Sequence, residues 1–241
     1  MQTKQMVSVD FWNTLVDPSE GGDERYNARL TAIREVASQN GKNDLEEEQV
    51  ANTFEQVSEH FSKIWLQDHV TPKPDMLTKK LLNHLGIEAN NGDVEDLSNR
   101  IQFSLLEGPP AVAPNAADVL EQLSKKYCLI IISDTMYTPG KVLRKYLEEK
   151  ELSGFFSGYI FSDEMGFSKP DTRAFNEALK IAGSEPATSV HIGDLEHTDI
   201  AGAKASDMKA ILYTGLGTDE PEETAADYIC ADWSHAGELL L

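Results

Sequence analysis

The pattern of apolar and polar positions divides the chain into three stretches. The first is short: Gln5 to Val9 (Gln-Met-Val-Ser-Val) is a strand candidate ending on Asp10, followed by the polar turn Asn13, Thr14 and then by Pro18, Gly21 and Gly22. From Asp23 to about Leu106 the period becomes helical. Tyr26, Leu30, Ile33 and Ala37 share one face, and Val50, Phe54, Val57, Phe61 and Ile64 recur at spacings of four and three. Two shorter helices follow, one carrying Leu77, Leu81 and Leu85 and the other Val94, Leu97, Ile101 and Leu105. Gly41 and Gly86 mark helix stops, and Asp44 with Glu47 reads as a capping-box start. No strand interrupts this block, which is predicted to be a small antiparallel bundle with Phe61 and Trp65 in its core.

After the breaker Gly108-Pro109-Pro110 strand and helix alternate. Helices are predicted from Asn115, Pro139, Asp171 and about Asp199, and strands at Cys128 to Ile132, Tyr159 to Phe161, Ser189 to Ile192 and Ala210 to Tyr213. Such alternation implies an α/β fold: a doubly wound, mainly parallel, Rossmann-like sheet covered by helices on both faces. The leading strand belongs to that sheet. Residues 1–16 and 109–241 therefore form the expected α/β core domain, and residues 17–108 an inserted α-helical domain.

Composition narrows the class of partner. Among 241 residues, 41 Asp and Glu face 21 Lys and Arg, and the net charge of −20 repels phosphate backbones and anionic lipid surfaces. Neither nucleic acid nor a membrane is expected as a partner. No window approaches the roughly 18 apolar residues that span a bilayer. Two cysteines, Cys128 and Cys230, cannot form a disulfide framework, so a reducing, cytoplasmic setting is expected. The chain is read as a monomer or homodimer.

In a parallel sheet the residues just past each strand face one crevice. Here these are Asp10, then Ser133 and Asp134, then Ser162 and Asp163, then Gly193 and Asp194, with Asp199 one helical entry later. Converging carboxylates repel one another, and a hard divalent cation such as Mg²⁺ is the usual remedy. Lys169 in Ser168-Lys169-Pro170 could bring a fixed positive charge. Arg25 and Arg29 lie four apart on the first helix, a spacing that serves either a substrate carboxylate or phosphate or pairs with surface acids. His191 reads as a core histidine within a strand, and His197 as a loop residue near the crevice.

Four ordered segments resemble the motifs of the haloacid dehalogenase (HAD) superfamily of hydrolases: Asp10-Phe-Trp-Asn-Thr-Leu-Val, Ser133 closing Leu-Ile-Ile-Ile-Ser, Lys169-Pro170-Asp171, and Gly193-Asp194-Leu-Glu-His-Thr-Asp199. The helical block resembles that superfamily's cap. The resemblance implies Mg²⁺-dependent hydrolysis of a small-molecule phosphate ester, with Asp10 as nucleophile forming an aspartyl-phosphate and Ser133 and Lys169 holding the phosphoryl oxygens. Asp10, the backbone carbonyl of Trp12 and Asp194 would bind the metal, with Asp199 in support. Trp12, Asn13, Asp134, Arg25 and Arg29 are the candidate substrate contacts.

One position departs from the resemblance. Family phosphatases usually carry a second Asp two residues after the nucleophile as general acid and base, and here that position is Trp12, whose indole can do neither. The family's 2-haloacid dehalogenases carry an aromatic Tyr there, because halide leaves without a proton. A metal-independent 2-haloacid dehalogenase is thus the alternative enzyme, and a non-catalytic phospholigand- or partner-binding protein the alternative outside catalysis. Against the dehalogenase stands the pair Asp194 and Asp199, since uncompensated Asp194 beside Asp10 would raise the nucleophile's pKa.

Overall fold

The computed structural model describes residues 5–217 and 222–241. Its first strand, β1 (Met6–Val9), leads into a two-residue strand β2 (Val16–Asp17), and four helices follow: α1 (Gly22–Gln39), α2 (Glu47–Asp68), α3 (Pro74–His84) and α4 (Asn91–Glu107). The chain returns through β3 (Ala111–Val112), which pairs antiparallel with β2. Then come α5 (Ala116–Lys126), β4 (Cys128–Ser133), α6 (Gly140–Glu149), β5 (Gly158–Phe161), the single turn α7 (Ser162–Met165), α8 (Thr172–Ala182) and β6 (Val190–Gly193). A wide turn at Glu196–Ile200 runs into α9 (Ala201–Ala205), and β7 (Lys209–Tyr213), β8 (Tyr228–Cys230) and α10 (Trp233–Leu240) complete the order.

The main sheet has the order β5-β4-β1-β6-β7-β8 and every pairing in it is parallel. Its strands are apolar on both faces because both are covered. In β4, Leu129 and Ile131 join Val7 and Val9 in a cluster with α5, α6 and α10, whereas Ile130 and Ile132 join Met6 and Ile160 in one with α8 and α9. β1 lies between β4 and β6, where the winding changes direction. The carboxyl ends of these three strands therefore open one crevice.

The four helices gather around their own apolar cluster, with Ile33, Val36, Val57, Leu81 and Leu97 buried at its centre. Gly41 and Gly86 do adopt the left-handed backbone expected just beyond a helix end, at φ 79° and 65°. The expected capping box falls elsewhere. Helix α2 starts at Glu47 behind Glu46, which makes no side-chain cap, so Asp44 stands too far upstream. The box is at α4, where Asn90 Oδ1 accepts from Gly92 N (2.8 Å) and Asp93 N (3.1 Å), and Asp93 accepts from Asn90 N (3.3 Å). Two chain crossings join the helices to the sheet, and they touch at Gly21 and Gly108. A Cβ on Gly21 would sit 2.6 Å from the Gly108 carbonyl oxygen, and one on Gly108 would sit 2.4 Å from that of Gly21.

Candidate active site

Four ionisable side chains meet at the carboxyl ends of β1 and β6. Asp10 follows β1, and its N–H donates to the Ile192 carbonyl (2.9 Å), which ties the two strand ends together. Asp194 follows β6, and Asp199 comes from the wide turn beyond it. Gly193 is required here, because a Cβ would stand 2.3 Å from Asp199 Cγ. One oxygen from each of Asp10, Asp194 and Asp199 lies within 4.8 Å of the others, and all three residues are buried. The Lys169 ammonium, 3% exposed, ion-pairs with Asp10 and with Asp199 Oδ1 (2.6 Å). Three carboxylates against one ammonium leave two negative charges unbalanced.

Asp199 is also held by His191, whose Nε2 lies 2.9 Å from Asp199 Oδ1 while its Nδ1 lies 2.9 Å from Ser8 Oγ. Burial pushes the His191 pKa down, so the ring is neutral and Nε2–H donates to the carboxylate. Burial alone would raise Asp199, but Lys169 and His191 outweigh it and hold this carboxyl below the usual range. For Asp194 the pull of Lys169 is outweighed. Burial and then repulsion from Asp199 push it up to about 7, and burial with repulsion from Asp199 and Asp194 raises Asp10 well above an ordinary carboxylate despite Lys169. Lys169 is raised as well, because its three acids, Asp10, Asp199 and Asp134, overcome the effect of burial.

Over this cluster lies a cavity of about 300 Å³. Of the residues singled out from sequence, Asp10, Trp12, Asn13, Arg29, Asp134, Lys169, Asp194 and Asp199 line it. Ser133 does not: it is buried at the end of β4, with its hydroxyl donating to the Asp134 carbonyl at 3.3 Å. Arg25 also lies away from the cavity and, among the described residues, pairs with no acid. Its guanidinium donates to the carbonyls of Pro18, Glu20 (2.9 Å) and Gly108 (2.5 Å), clasping both crossings, because the turn of α1 that carries it faces the connections. Ser162 and Asp163 brace the loop after β4 and do not face the cavity. Ser162 Oγ accepts from Thr135 N (2.8 Å), and Asp163 accepts from Thr135 Oγ1 (2.8 Å) and Gly140 N (3.0 Å).

Other residues of the site were not expected from sequence. Trp65, placed by its helical spacing in the bundle core, lines the cavity and donates Nε1–H to Asp134 Oδ2 (3.0 Å), while Lys169 N donates to Asp134 Oδ1 (3.0 Å). Asp134 is raised by burial, against the pull of Lys169 and Trp65. Phe61 serves the helical cluster and the cavity at once. Thr135, Met136 and Tyr137 follow Ser133 and could have been found by carrying the strand-end argument a few residues further. His197 is exposed, its ring 6.3 Å from that of Trp65.

The profile of the haloacid dehalogenase-like hydrolases matches residues 5–207. This chain belongs to that family. Within the HAD-like hydrolases it is 35% identical over 149 residues to a glyceraldehyde 3-phosphate phosphatase of Methanothermobacter thermautotrophicus, a match covering 59% of this chain and 62% of that one. The alignment thus spans under two thirds of that relative. Among solved structures, a 2-haloacid dehalogenase from Pseudomonas syringae superposes with TM-score 0.72 at 20% identity, covering 98% of both chains. A HAD phosphatase from Thermococcus onnurineus superposes with TM-score 0.67 at 20% identity, covering 98% of this chain and 97% of that one. The same HAD fold therefore carries both chemistries, and the choice between them rests on the site.

Proposed function

We propose that the protein is a Mg²⁺-dependent phosphatase of small phosphorylated metabolites, acting through an aspartyl-phosphate on Asp10, with residues 17–108 as a cap over the site. The carboxylate cluster carries this reading. Its three buried acids with a single ammonium leave an excess of two negative charges, which a divalent cation matches, and every donor is a hard oxygen suited to Mg²⁺. Asp10, Asp194 and the Trp12 carbonyl would hold the ion, with Asp199 bracing from behind. Bound there, the cation supplies the positive field that lets an anionic carboxylate approach an anionic phosphate. A metal-free dehalogenase would have to keep Asp10 ionised beside an uncompensated Asp194. The phosphatase named among the relatives lends further support.

The residues divide the work as follows. An Asp10 oxygen attacks phosphorus, the ester P–O bond breaks, and the leaving oxygen takes a proton. Asp134 supplies it: of the cavity's acids it is the one outside the three-carboxylate cluster, and burial keeps its proton affinity high. Water then attacks phosphorus, gives a proton back to Asp134, and the bond between phosphorus and Asp10 breaks. Lys169 holds a phosphoryl oxygen; the Ser133 hydroxyl, buried behind the cavity wall and turned to the Asp134 carbonyl, would reach another only after leaving that contact. Trp12 walls the cavity. The test is turnover of p-nitrophenyl phosphate and of 2-chloropropionate, each with Mg²⁺ and with EDTA. Hydrolysis of the phosphate ester with Mg²⁺, lost in EDTA, is expected; halide release in EDTA would replace this reading with the dehalogenase.

A further inference from the structure

We propose that Arg29 is the receptor for a carboxylate, so that the substrate is a small phosphate ester carrying a carboxylate away from the phosphate. This rests on the phosphatase reading of the same cavity. Arg29 stands on α1 and lines the cavity, and its Nε–H donates to Ser104 Oγ at 2.8 Å. Its guanidinium lies over the Tyr137 ring, 4.8 Å from the centroid. Tyr137 is fixed in turn by stacking on Phe54 (5.0 Å) and by the Ser58 hydroxyl. The Nε edge and one flat face of the guanidinium are thereby occupied. Among the described residues no acceptor engages Nη1 or Nη2 and no carboxylate pairs with Arg29.

That vacancy is informative in this chain. With 41 Asp and Glu to 21 Lys and Arg, an acidic neighbour would be easy to supply, and a cation drawn partly out of water without one costs stability. Arg29 is nevertheless half-buried at the cavity wall, and its pKa, lowered to about 10 by desolvation, leaves it charged at neutral pH. The cavity's other cation among the described residues, Lys169, is already engaged by Asp10 and Asp199. With the remaining N–H of Lys169 given to the phosphoryl group, a second anionic group of the substrate finds its free donors at Arg29. One guanidinium edge with two parallel N–H groups fits the planar, singly charged carboxylate, whereas a second phosphate dianion would call for more than one cation. The apolar groups beside it, among them Phe61, Trp65 and Met136, favour a carbon segment linking the two anionic ends.

Matched ester pairs test this: carboxymethyl phosphate against ethyl phosphate, and carboxyphenyl phosphate against phenyl phosphate, with Mg²⁺, for wild type, Arg29→Met and Arg29→Lys. Wild type should prefer the carboxylated member of at least one pair. In that pair the ratio of the two kcat/KM values should fall by about 10- to 100-fold in Arg29→Met, the usual worth of a charge-assisted pair, and by less in Arg29→Lys. Differences in leaving group cancel between variants. A preference for the neutral esters in wild type, or a ratio that moves less than twofold in Arg29→Met, overturns the proposal and leaves Arg29 as a packing partner of Tyr137. Should Arg29→Met fail to fold, Arg29→Lys decides, since loss of the fork alone must lower the ratio. If no ester is hydrolysed, the phosphatase reading fails separately. Calorimetric binding of phosphonoacetate and ethylphosphonate to wild type and Arg29→Met then measures the same preference, and equal binding of the two by wild type overturns it.

Discussion

Asp134 joins three parts of the molecule at one carboxyl group: its own strand end, the Lys169 backbone and the indole of Trp65 from the helical insertion. If it is the proton donor, its loss should be felt in proportion to the leaving group's need for a proton. Asp134→Asn is expected to lower kcat/KM for alkyl phosphates by about 100-fold or more, as general acids usually contribute, and to spare p-nitrophenyl phosphate by comparison. A uniform loss across esters of graded leaving-group pKa would instead assign Asp134 to holding Trp65 and Lys169. At this scale Asp10 and Asp194 were legible because each directly follows a strand that its own apolar run announces, and Lys169 and Asp199 because the motif resemblance picked them out of the loop and turn further on. Trp65 was not: its position in a helical stripe is the same whether the ring points into a bundle or over a cavity. Arg25 and Arg29, four residues apart, looked equivalent in sequence, and only the path of the connections separates a clasp on backbone carbonyls from a cavity wall.

Among the elements, the seam between sheet and helices depends on features too small for periodicity to register. β2 and β3 are two residues each, and the crossings beside them meet at Gly21, whose φ of 66° and contact with Gly108 exclude a side chain. Arg25 draws both crossings together through Pro18, Glu20 and Gly108. Arg25→Met keeps most of the side-chain volume but removes the bond to the buried Gly108 carbonyl and the two part-buried bonds to Pro18 and Glu20, and should lower stability by about 2–4 kcal/mol in urea denaturation. A loss below about 0.5 kcal/mol would show that the glycine contact holds the seam unaided. The longer elements were legible throughout, since four-residue stripes of Leu, Val and Phe leave little choice of period. The short terminal pair β8 and α10 escaped because three residues, Tyr228 to Cys230, carry no recognisable alternation, although Asp232 capping His235 N (2.8 Å) is a conventional helix start.

For the whole molecule, a net charge of −20 makes its response to cations the broadest test. Asp194, raised to about 7 in the folded protein against about 4 in an unfolded chain, keeps its proton between those values while the unfolded chain releases one. Its contribution to stability is therefore present below about pH 4 and lost as the pH rises through about 7; Asp10, also raised, acts in the same direction. Asp199, held low, contributes oppositely, with stability present above the unfolded pKa and lost on acidification below it. His191, buried and neutral, adds stability as the pH rises toward its unfolded value of about 6.5, so the raw dependence of Tm on pH mixes opposing slopes. The difference in Tm with and without Mg²⁺ isolates the cluster, because the ion binds the folded site and competes there with protons. That difference should be small at pH 5, rise through pH 7 and be largest at pH 8, where Asp10 and Asp194 have the least claim on a proton. Asp194→Asn removes one of the two unbalanced charges; it should abolish most of the Mg²⁺-induced rise and raise the Tm of the metal-free protein at pH 8. A Mg²⁺ effect that is flat from pH 5 to pH 8, or equal in wild type and Asp194→Asn, would place the binding of the ion elsewhere on this acidic surface.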